Sequence, residues 1–277
     1  MAVGPAPQQD CLSGPRIVGV VLVHNEDVFV ERAVRNAAPF CDHILLMDHG
    51  STDATVPILK RLAKELPSAE FHRLSHPRES HELIAGLAGQ DTWIFAVDGD
   101  EIYDTTGLLH LRERINAGEF ARTWMILGNV LNVTSLAPDY RSASGHLAPP
   151  CRSMTKLYNF AAISSWSGDA PERLHGGEVV FRPGFTNSDR RMLHDEEAWE
   201  ESDFRCLHMC FLSRSSKESG DAATRENIME KYGNSWQRVI RAVRRLVGLP
   251  VTNWKDSRYR RGPEVTVSTT AFFPTES

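Results

Sequence analysis

Three acids close the apolar segment "TWIFAVDGDEIYD" (92–104): Asp98, Asp100 and Glu101. Like charges set this close repel one another unless a cation lies between them or a helix start follows. Asp98 and Asp100, separated by one glycine, are hard oxygen ligands of the kind that hold Mg2+ or Mn2+ against phosphate oxygens. Gly99 lets the backbone turn so that both carboxylates can serve one ligand set. Glu101 either orients that pair or opens the next helix.

The acids have company. "RIVGVVLV" (16–23) runs into His24-Asn25-Glu26, and "HILLMD" (43–48) ends in Asp48-His49-Gly50-Ser51. Both runs, like 92–98, are near-continuously apolar, as strands covered on both faces are. "AEFHRL" (69–74) is a weaker strand. Helical spacing appears at 27–38 (Phe29, Ala33, Val34, Ala37), at 54–66 and, less regularly, at 79–89. Ser51, Thr52 and Asp53 are available to cap the second helix, with Pro57 in its first turn. This alternation predicts a mostly parallel α/β sheet flanked by helices. Ligands of such sheets bind beyond the carboxyl ends of the strands. Three polar strand ends at one edge therefore predict a site.

Other uses of those residues fit poorly. Neither G-x-x-x-x-G-K-[ST] nor G-x-G-x-x-G follows the first strand. A calcium loop from Asp98 fails because Tyr103 stands where Gly is required and Leu109 where Glu should be. A D-x-D-x-[TV] phosphatase carries its motif on the first strand, whereas here it follows the fourth.

Beyond the first half, 121–133 reads as one strand and 136–150, rich in Pro, Ser and Gly, as a long loop. Residues 152–160 and 163–166 suggest antiparallel strands, followed by 176–185. "DFRCLHMCFL" (203–212) predicts a strand with Phe204, Cys206, His208, Cys210 and Leu212 on one face. Helices are expected at about 222–232 and 235–247, and little order after about 250.

Taken together, "VVLVHNEDVFVERAVRN", "DHILLMDHGSTDAT" and "IFAVDGDE" resemble the nucleotide-binding half of a GT-A fold glycosyltransferase of the broad family 2 type. The motifs stand in that family's order and spacing over about 16–125. The resemblance implies an α/β, Rossmann-like GT-A sheet with a C-terminal acceptor-side α+β part. Its expected divisions are a disordered tail (1–15), a nucleotide-sugar half (16–133), an acceptor half (134–232) and a C-terminal amphipathic helix and tail (233–277). It further implies that Asp48 contacts the nucleobase and that Val23, His24, Asn25 and Glu26 line the base and ribose pocket with Gly50 and Ser51. Asp98, Gly99 and Asp100 would hold the nucleotide diphosphate with Mn2+ or Mg2+, and His208 would add a ligand. Arg182, Arg190, Arg191 and Arg214 are the guanidinium candidates for diphosphate contacts. The sequence reads D-H-G where relatives often show D-D-G, so His49 replaces an acid. An inverting transfer needs a carboxylate base; Glu172 is the first candidate, with Asp169 and Asp195 as rivals.

The expected donor is a UDP-sugar, then a GDP- or dTDP-sugar, and the acceptor a small molecule or saccharide. A nucleotidyltransferase and a non-catalytic nucleotide-sugar-binding protein are the competing classes. The former lacks its Gly-rich basic loop, and the intact D-x-D speaks against the latter. Cys206-x-His208-x-Cys210 shows only three zinc ligands at strand spacing. The stripe of Trp236, Val239, Ile240, Val243, Leu246 and Val247 beside four arginines predicts a helix docked on its own domain or on a second copy, with peripheral membrane contact as the alternative. At 277 residues, 41% hydrophobic, 24% charged and a net charge of −5, the composition fits a globular protein and speaks against a nucleic-acid partner. Five scattered cysteines suit reduced thiols and a cytoplasmic location. The first 15 residues have no basic n-region or apolar h-region, so they read as a tail and no signal peptide is expected.

Overall fold

The computed structural model describes residues 14–151, 155–167, 176–218 and 254–274. Residues 1–13 of the expected tail, Asp169 and Glu172, and the two helices expected between 222 and 247 lie outside the described residues.

The apolar runs form β1 (Arg16–Val23), β2 (His43–Asp48) and β4 (Thr92–Val97), with β3 (Ala69–Arg73) beside β2. Between them lie α1 (Val30–Ala37), α2 (Thr55–Glu65) and α3 (Glu79–Ala85). The short β5 (Glu101–Tyr103) and α4 (Thr105–Asn116) follow. Then come β6 (Met125–Leu127), β7 (Asn129–Leu136), β8 (Ser142–Leu147) and β9 (Lys156–Asn159). Last are β10 (Ile163–Ser167), β11 (Glu178–Phe181), β12 (Arg190–Met192), α5 (Leu193–Glu196), β13 (Arg205–His208), α6 (Trp254–Tyr259) and β14 (Glu264–Ser268).

The fold is α/β. A seven-stranded sheet has the order β12-β6-β9-β4-β1-β2-β3, with β3, β2, β1 and β4 mutually parallel and β9 antiparallel to both its neighbours. Every residue of β1 after Arg16 is buried, and the strand divides its side chains between two cores. Ile17, Val21 and Val23 pack with Val34, Leu59, Leu62 and Leu111 from the helices. Val18, Val20 and Leu22 face Ile84, Trp124, Tyr158 and Trp166 on the other side. That two-sided burial is why the strand shows no in/out alternation.

A second sheet, β14-β8-β7-β13-β5, holds a third core of Ile102, Leu131, Val133, Leu207, Met209 and Phe272. Here the structure departs from the sequence-based expectations. The single strand expected over 121–133 is two strands in different sheets. At the switch, a Cβ on Gly128 would lie 2.4 Å from the Phe204 carbonyl oxygen, so only glycine lets β7 pass Phe204. The expected loop at 136–150 contains β8, which pairs with β7 and β14 despite a sequence (SASGHL) poor in strand formers. Backbone ladders on both sides override propensity there. The stretch after 250 supplies α6 and β14, and Phe272 stacks on Trp199. The strand expected over 203–212 ends at His208; Cys210 leaves that face and packs with Phe211 and Tyr259, while Leu212 joins the third core. Helix α2 starts from Ala54 with no side-chain cap at that position, although Asp53 accepts from the Thr55 N–H at 3.0 Å.

Candidate functional site

Strand register brings the expected residues to one edge. Val23 pairs with Asp48 and Asp48 with Arg73, so three strand ends lie side by side. Asp48 is fully buried and organises its own turn: Oδ2 accepts from the N–H groups of Gly50 (3.0 Å) and Ser51 (3.2 Å). Gly50 makes the turn possible with φ +89°, a conformation costly for any side chain with a Cβ. The guanidinium of Arg73 pairs with the same carboxylate at 2.9 Å. Across the turn, Asn25 takes φ +55°, which asparagine tolerates. Its N–H donates to Ser51 Oγ (2.8 Å), and its Oδ1 accepts from the Thr52 N–H (2.7 Å). His24 stacks on His49 with ring centres 4.9 Å apart, so His49 becomes half of an aromatic platform.

The D-G-D turn follows β4 against this loop. A Cβ on Gly99 would lie 2.3 Å from Glu26 Oε2 and 2.6 Å from Val23 Cγ1. Glycine is needed at 99 for close approach of the two loops, whereas the sequence suggested a turning role. Glu26 consequently stands beside Asp100 and its partner Arg214, with Arg214 Nη1 3.4 Å from Glu26 Oε1.

Asp100 is almost wholly buried, and β13 completes its surroundings. In the antiparallel register His208 faces Glu101, and in the parallel one it faces Asn132 of β7. Asn132 Nδ2 donates to the His146 carbonyl (3.3 Å), which turns Asn132 Oδ1 toward His208 Nδ1 at 3.0 Å. Nδ1 therefore carries the proton, and the lone pair sits on Nε2. Burial lowers the His208 pKa against the pull of Asp100 and Asp98, which keeps the ring neutral. Nε2 lies 3.7 Å from Asp100 Oδ2. Two lone pairs facing one another at that range invite a cation. Two metal–ligand bonds of about 2.1 Å span from about 3.0 Å at a right angle to about 4.2 Å in line, so the gap suits one ion. No cluster of three metal-ligating groups occurs among the described residues, so Asp98 does not join Asp100 and His208 in a ready-made set as the sequence suggested. Magnesium-type sites, held by one or two protein groups and completed by substrate phosphates, have this form. The residues fit Mn2+ or Mg2+ on those terms.

Asp100 Oδ2 is meanwhile held by Arg214, whose Nη1 donates at 2.6 Å. Burial pulls the Arg214 pKa down, but Asp100 and Glu26 together outweigh it and raise it. Of the four candidate arginines this one meets the site. Arg182 points to the carbonyls of Gly89 and Ala161, Arg190 to Asn187 and Arg191 to Glu196.

Glu101 does not cap α4. Asp104 does, accepting from the Gly107 N–H at 3.0 Å. Glu101 is buried behind the turn, where Oε2 accepts from the Tyr103 hydroxyl (2.5 Å), itself 2.6 Å from Thr155 Oγ1. Burial first, and Asp98 next, push the Glu101 pKa up to about 8. Asn132, Tyr103, Thr155 and Arg73 were missed in the sequence. Asn132 left a signal, an amide inside the apolar run "ILGNVLNV".

Asp195 lies in the single turn of α5, which follows β12 directly. Since β12 runs parallel to β6, and β6 parallel to β4 through β9, it lies at the same sheet edge, three strand spacings (about 14 Å) from β4. Its carboxylate is half-exposed, 3.8 Å from His194 Nε2. The C-x-H-x-C zinc reading fails: Cys210 Sγ contacts Asn132 Oδ1 at 3.8 Å, and the described cysteines are free thiols.

No protein family and no curated protein matches the chain. Solved structures do. A glucosyl-3-phosphoglycerate synthase from Mycobacterium tuberculosis, in complex with Mn2+, UDP-glucose and phosphoglyceric acid, is 16% identical over 86% of this chain and 82% of its own, with a TM-score of 0.45. A mannosyltransferase from Pyrobaculum calidifontis with GDP-mannose and Mn2+ is 13% identical over 69% of this chain and 59% of its own, at 0.37. A 4-diphosphocytidyl-2C-methyl-D-erythritol synthase from Anaerococcus prevotii is 11% identical over 53% and 71%, at 0.34. Likenesses this distant carry no conclusion about chemistry, which rests on the site itself.

Proposed function

We propose that the chain is a metal-dependent glycosyltransferase that moves a sugar from a nucleotide-diphospho-sugar to a hydroxyl acceptor. The observation that carries this reading is the Asp100–His208 pair: a buried carboxylate and an imidazole of fixed tautomer, 3.7 Å apart at the carboxyl edge of a parallel sheet. The motifs around it supply the rest. Val23, His24 and Asn25 line the base and ribose pocket with Asp48, Gly50 and Ser51, and the His24–His49 stack offers the base a flat surface. Asp98 and Asp100 face the diphosphate side, and Arg214 is the guanidinium within reach of its oxygens.

When bound, Mn2+ or Mg2+ offsets the charge that develops on the leaving diphosphate. The chain's own residues do the positioning. Asn132 orients His208, Gly99 keeps the D-G-D turn against β1, and a carboxylate on the acceptor side takes the hydroxyl proton. Asp195 is the described candidate for that base; Glu172 and Asp169 remain candidates from the sequence. Transfer proceeds with inversion. A UDP-sugar is the first donor to try, then GDP- and dTDP-sugars, with a small molecule or saccharide as acceptor. The cytoplasm, where buried thiols such as Cys206 stay reduced, is the proposed compartment. No helix among the described residues is long and apolar enough to cross a membrane.

A panel of nucleotide sugars, and in a second arm nucleoside triphosphates with sugar phosphates, tests the reading with Mn2+ present. Release of nucleoside diphosphate from the nucleotide sugars supports it, pyrophosphate release from the triphosphates points to a nucleotidyltransferase, and no turnover with retained binding points to a binding protein. Asp195→Asn should lower kcat about 100-fold or more while nucleotide affinity holds. An unchanged kcat removes Asp195 as the base.

A further inference from the structure

We infer that Arg214 is a tethered counter-cation of the metal site that competes with the divalent ion for Asp100, so that its guanidinium must be displaced when the ion binds there. The inference rests on the proposed metal-dependent function and says what the ion must compete with at that site.

Arg214 Nη1 donates to the same Asp100 oxygen, Oδ2, that faces His208 Nε2. It also reaches Glu26 at 3.4 Å, and its charge acts on His208 in the direction that opposes protonation. Guanidinium and metal are therefore attracted by the same carboxylates and repelled by each other. One oxygen at 2.6 Å from a guanidinium nitrogen leaves no room for a bare cation on the same side.

The exchange needs only the side chain to move, because the backbone that carries it is pinned. The Arg214 carbonyl accepts from the Val28 N–H (3.1 Å), and the Arg214 N–H donates to Glu218 Oε2 (2.9 Å). Ser215 Oγ donates to Asp53 Oδ2 (2.6 Å), the Ser216 N–H donates to Asp27 Oδ1 (2.7 Å), and Lys217 Nζ reaches the Thr52 carbonyl. Residues 214–218 thus form a strap anchored to both loops that bracket the nucleotide pocket. A guanidinium released from Asp100 stays at the mouth of that pocket, where a diphosphate gives it a new partner. Metal and nucleotide should then favour one another, and by linkage each raises the other's affinity by the same factor.

The test follows Mn2+ binding by the free-ion EPR signal, in the whole protein, with and without UDP. Arg214→Gln should bind Mn2+ alone about tenfold or more tightly than wild type, the scale on which a like charge at this range shifts a neighbouring equilibrium. Its gain from UDP should shrink. Arg214→Lys should stay within about threefold of wild type, and Asp100→Asn should not bind. Equal or weaker binding by Arg214→Gln, with binding still lost in Asp100→Asn, overturns the exchange and leaves the proposed function standing. Mn2+ binding by none of the proteins, even with UDP, overturns both. In the wild-type protein, peptide mapping after phenylglyoxal treatment gives a readout free of any folding defect. Mn2+ should raise labelling of Arg214, and unchanged or lower labelling contradicts the inference.

Discussion

Replacing Glu101 by Gln should make the protein more stable at alkaline pH and leave it little changed at pH 5. In an unfolded chain Glu101 gives up its proton near 4.5, whereas burial and the neighbouring Asp98 hold it to about 8 in the fold. Between those values the folded state carries a proton the unfolded state lacks. Stability therefore falls as pH rises through the window and levels off above 8. The distance from 4.5 to about 8, at about 1.4 kcal/mol per pH unit, sets a ceiling of about 5 kcal/mol. Movement of Asp98 away from the charged acid lowers this, so about 2–5 kcal/mol is the expected range. Glutamine copies the protonated acid: its carbonyl can accept from Tyr103 as Oε2 does. Urea unfolding of both proteins at pH 5, 7 and 9, with chelator present, reads the difference. His208 works in the opposite sense, since its lowered pKa costs stability as pH falls through 6.5, but it is common to both proteins and cancels. The variant's advantage should grow from pH 5 to about pH 8 and then level off, so it is larger at pH 7 than at pH 5 and largest at pH 9. An advantage that stays flat or shrinks with pH would refute a buried, protonated Glu101.

Asn132→Leu removes the acceptor that fixes the His208 tautomer and should weaken Mn2+ binding about 10–100-fold, read by the same EPR titration. Gly99→Ala puts a Cβ into Glu26 and Val23; Glu26 can swing aside, but the buried Val23 cannot. It should cost about 1–3 kcal/mol in urea unfolding and weaken nucleotide binding measured by calorimetry. Gly128→Ala meets the Phe204 backbone at 2.4 Å and should cost more, about 2–4 kcal/mol, with no preferential effect on nucleotide affinity.

The first half of the chain was legible because its strands are buried on both faces and its helices carry regular apolar stripes. The starts and ends of β1, β2 and β4 fall within a residue of the apolar runs. The second sheet was not. β8 is a serine- and glycine-rich stretch made into a strand by its neighbours' backbones, and β14 alternates half-buried and exposed residues at a sheet edge. Neither leaves a hydrophobic signature. In the site, the polar strand ends pointed to Asp48, Asp98 and Asp100 because acids after apolar runs are conspicuous. The pairing of Asp100 with His208 depends on β13 crossing from residue 205 to lie beside β5, a contact of long sequence separation. Arg214 could be named from composition only as one of four arginines, since its choice depends on a strap held by serines and backbone groups.

The claim on which the account depends is that Asp100 and His208 share one divalent ion beneath a nucleotide diphosphate. Pulsed EPR of Mn2+ bound to the protein with UDP tests it directly, because a coordinated imidazole imprints nitrogen modulation on the echo. The account predicts that modulation in the wild type, its loss in His208→Gln, and loss of bound Mn2+ in Asp100→Asn. Bound Mn2+ without nitrogen coupling, or binding unchanged in Asp100→Asn, would contradict it.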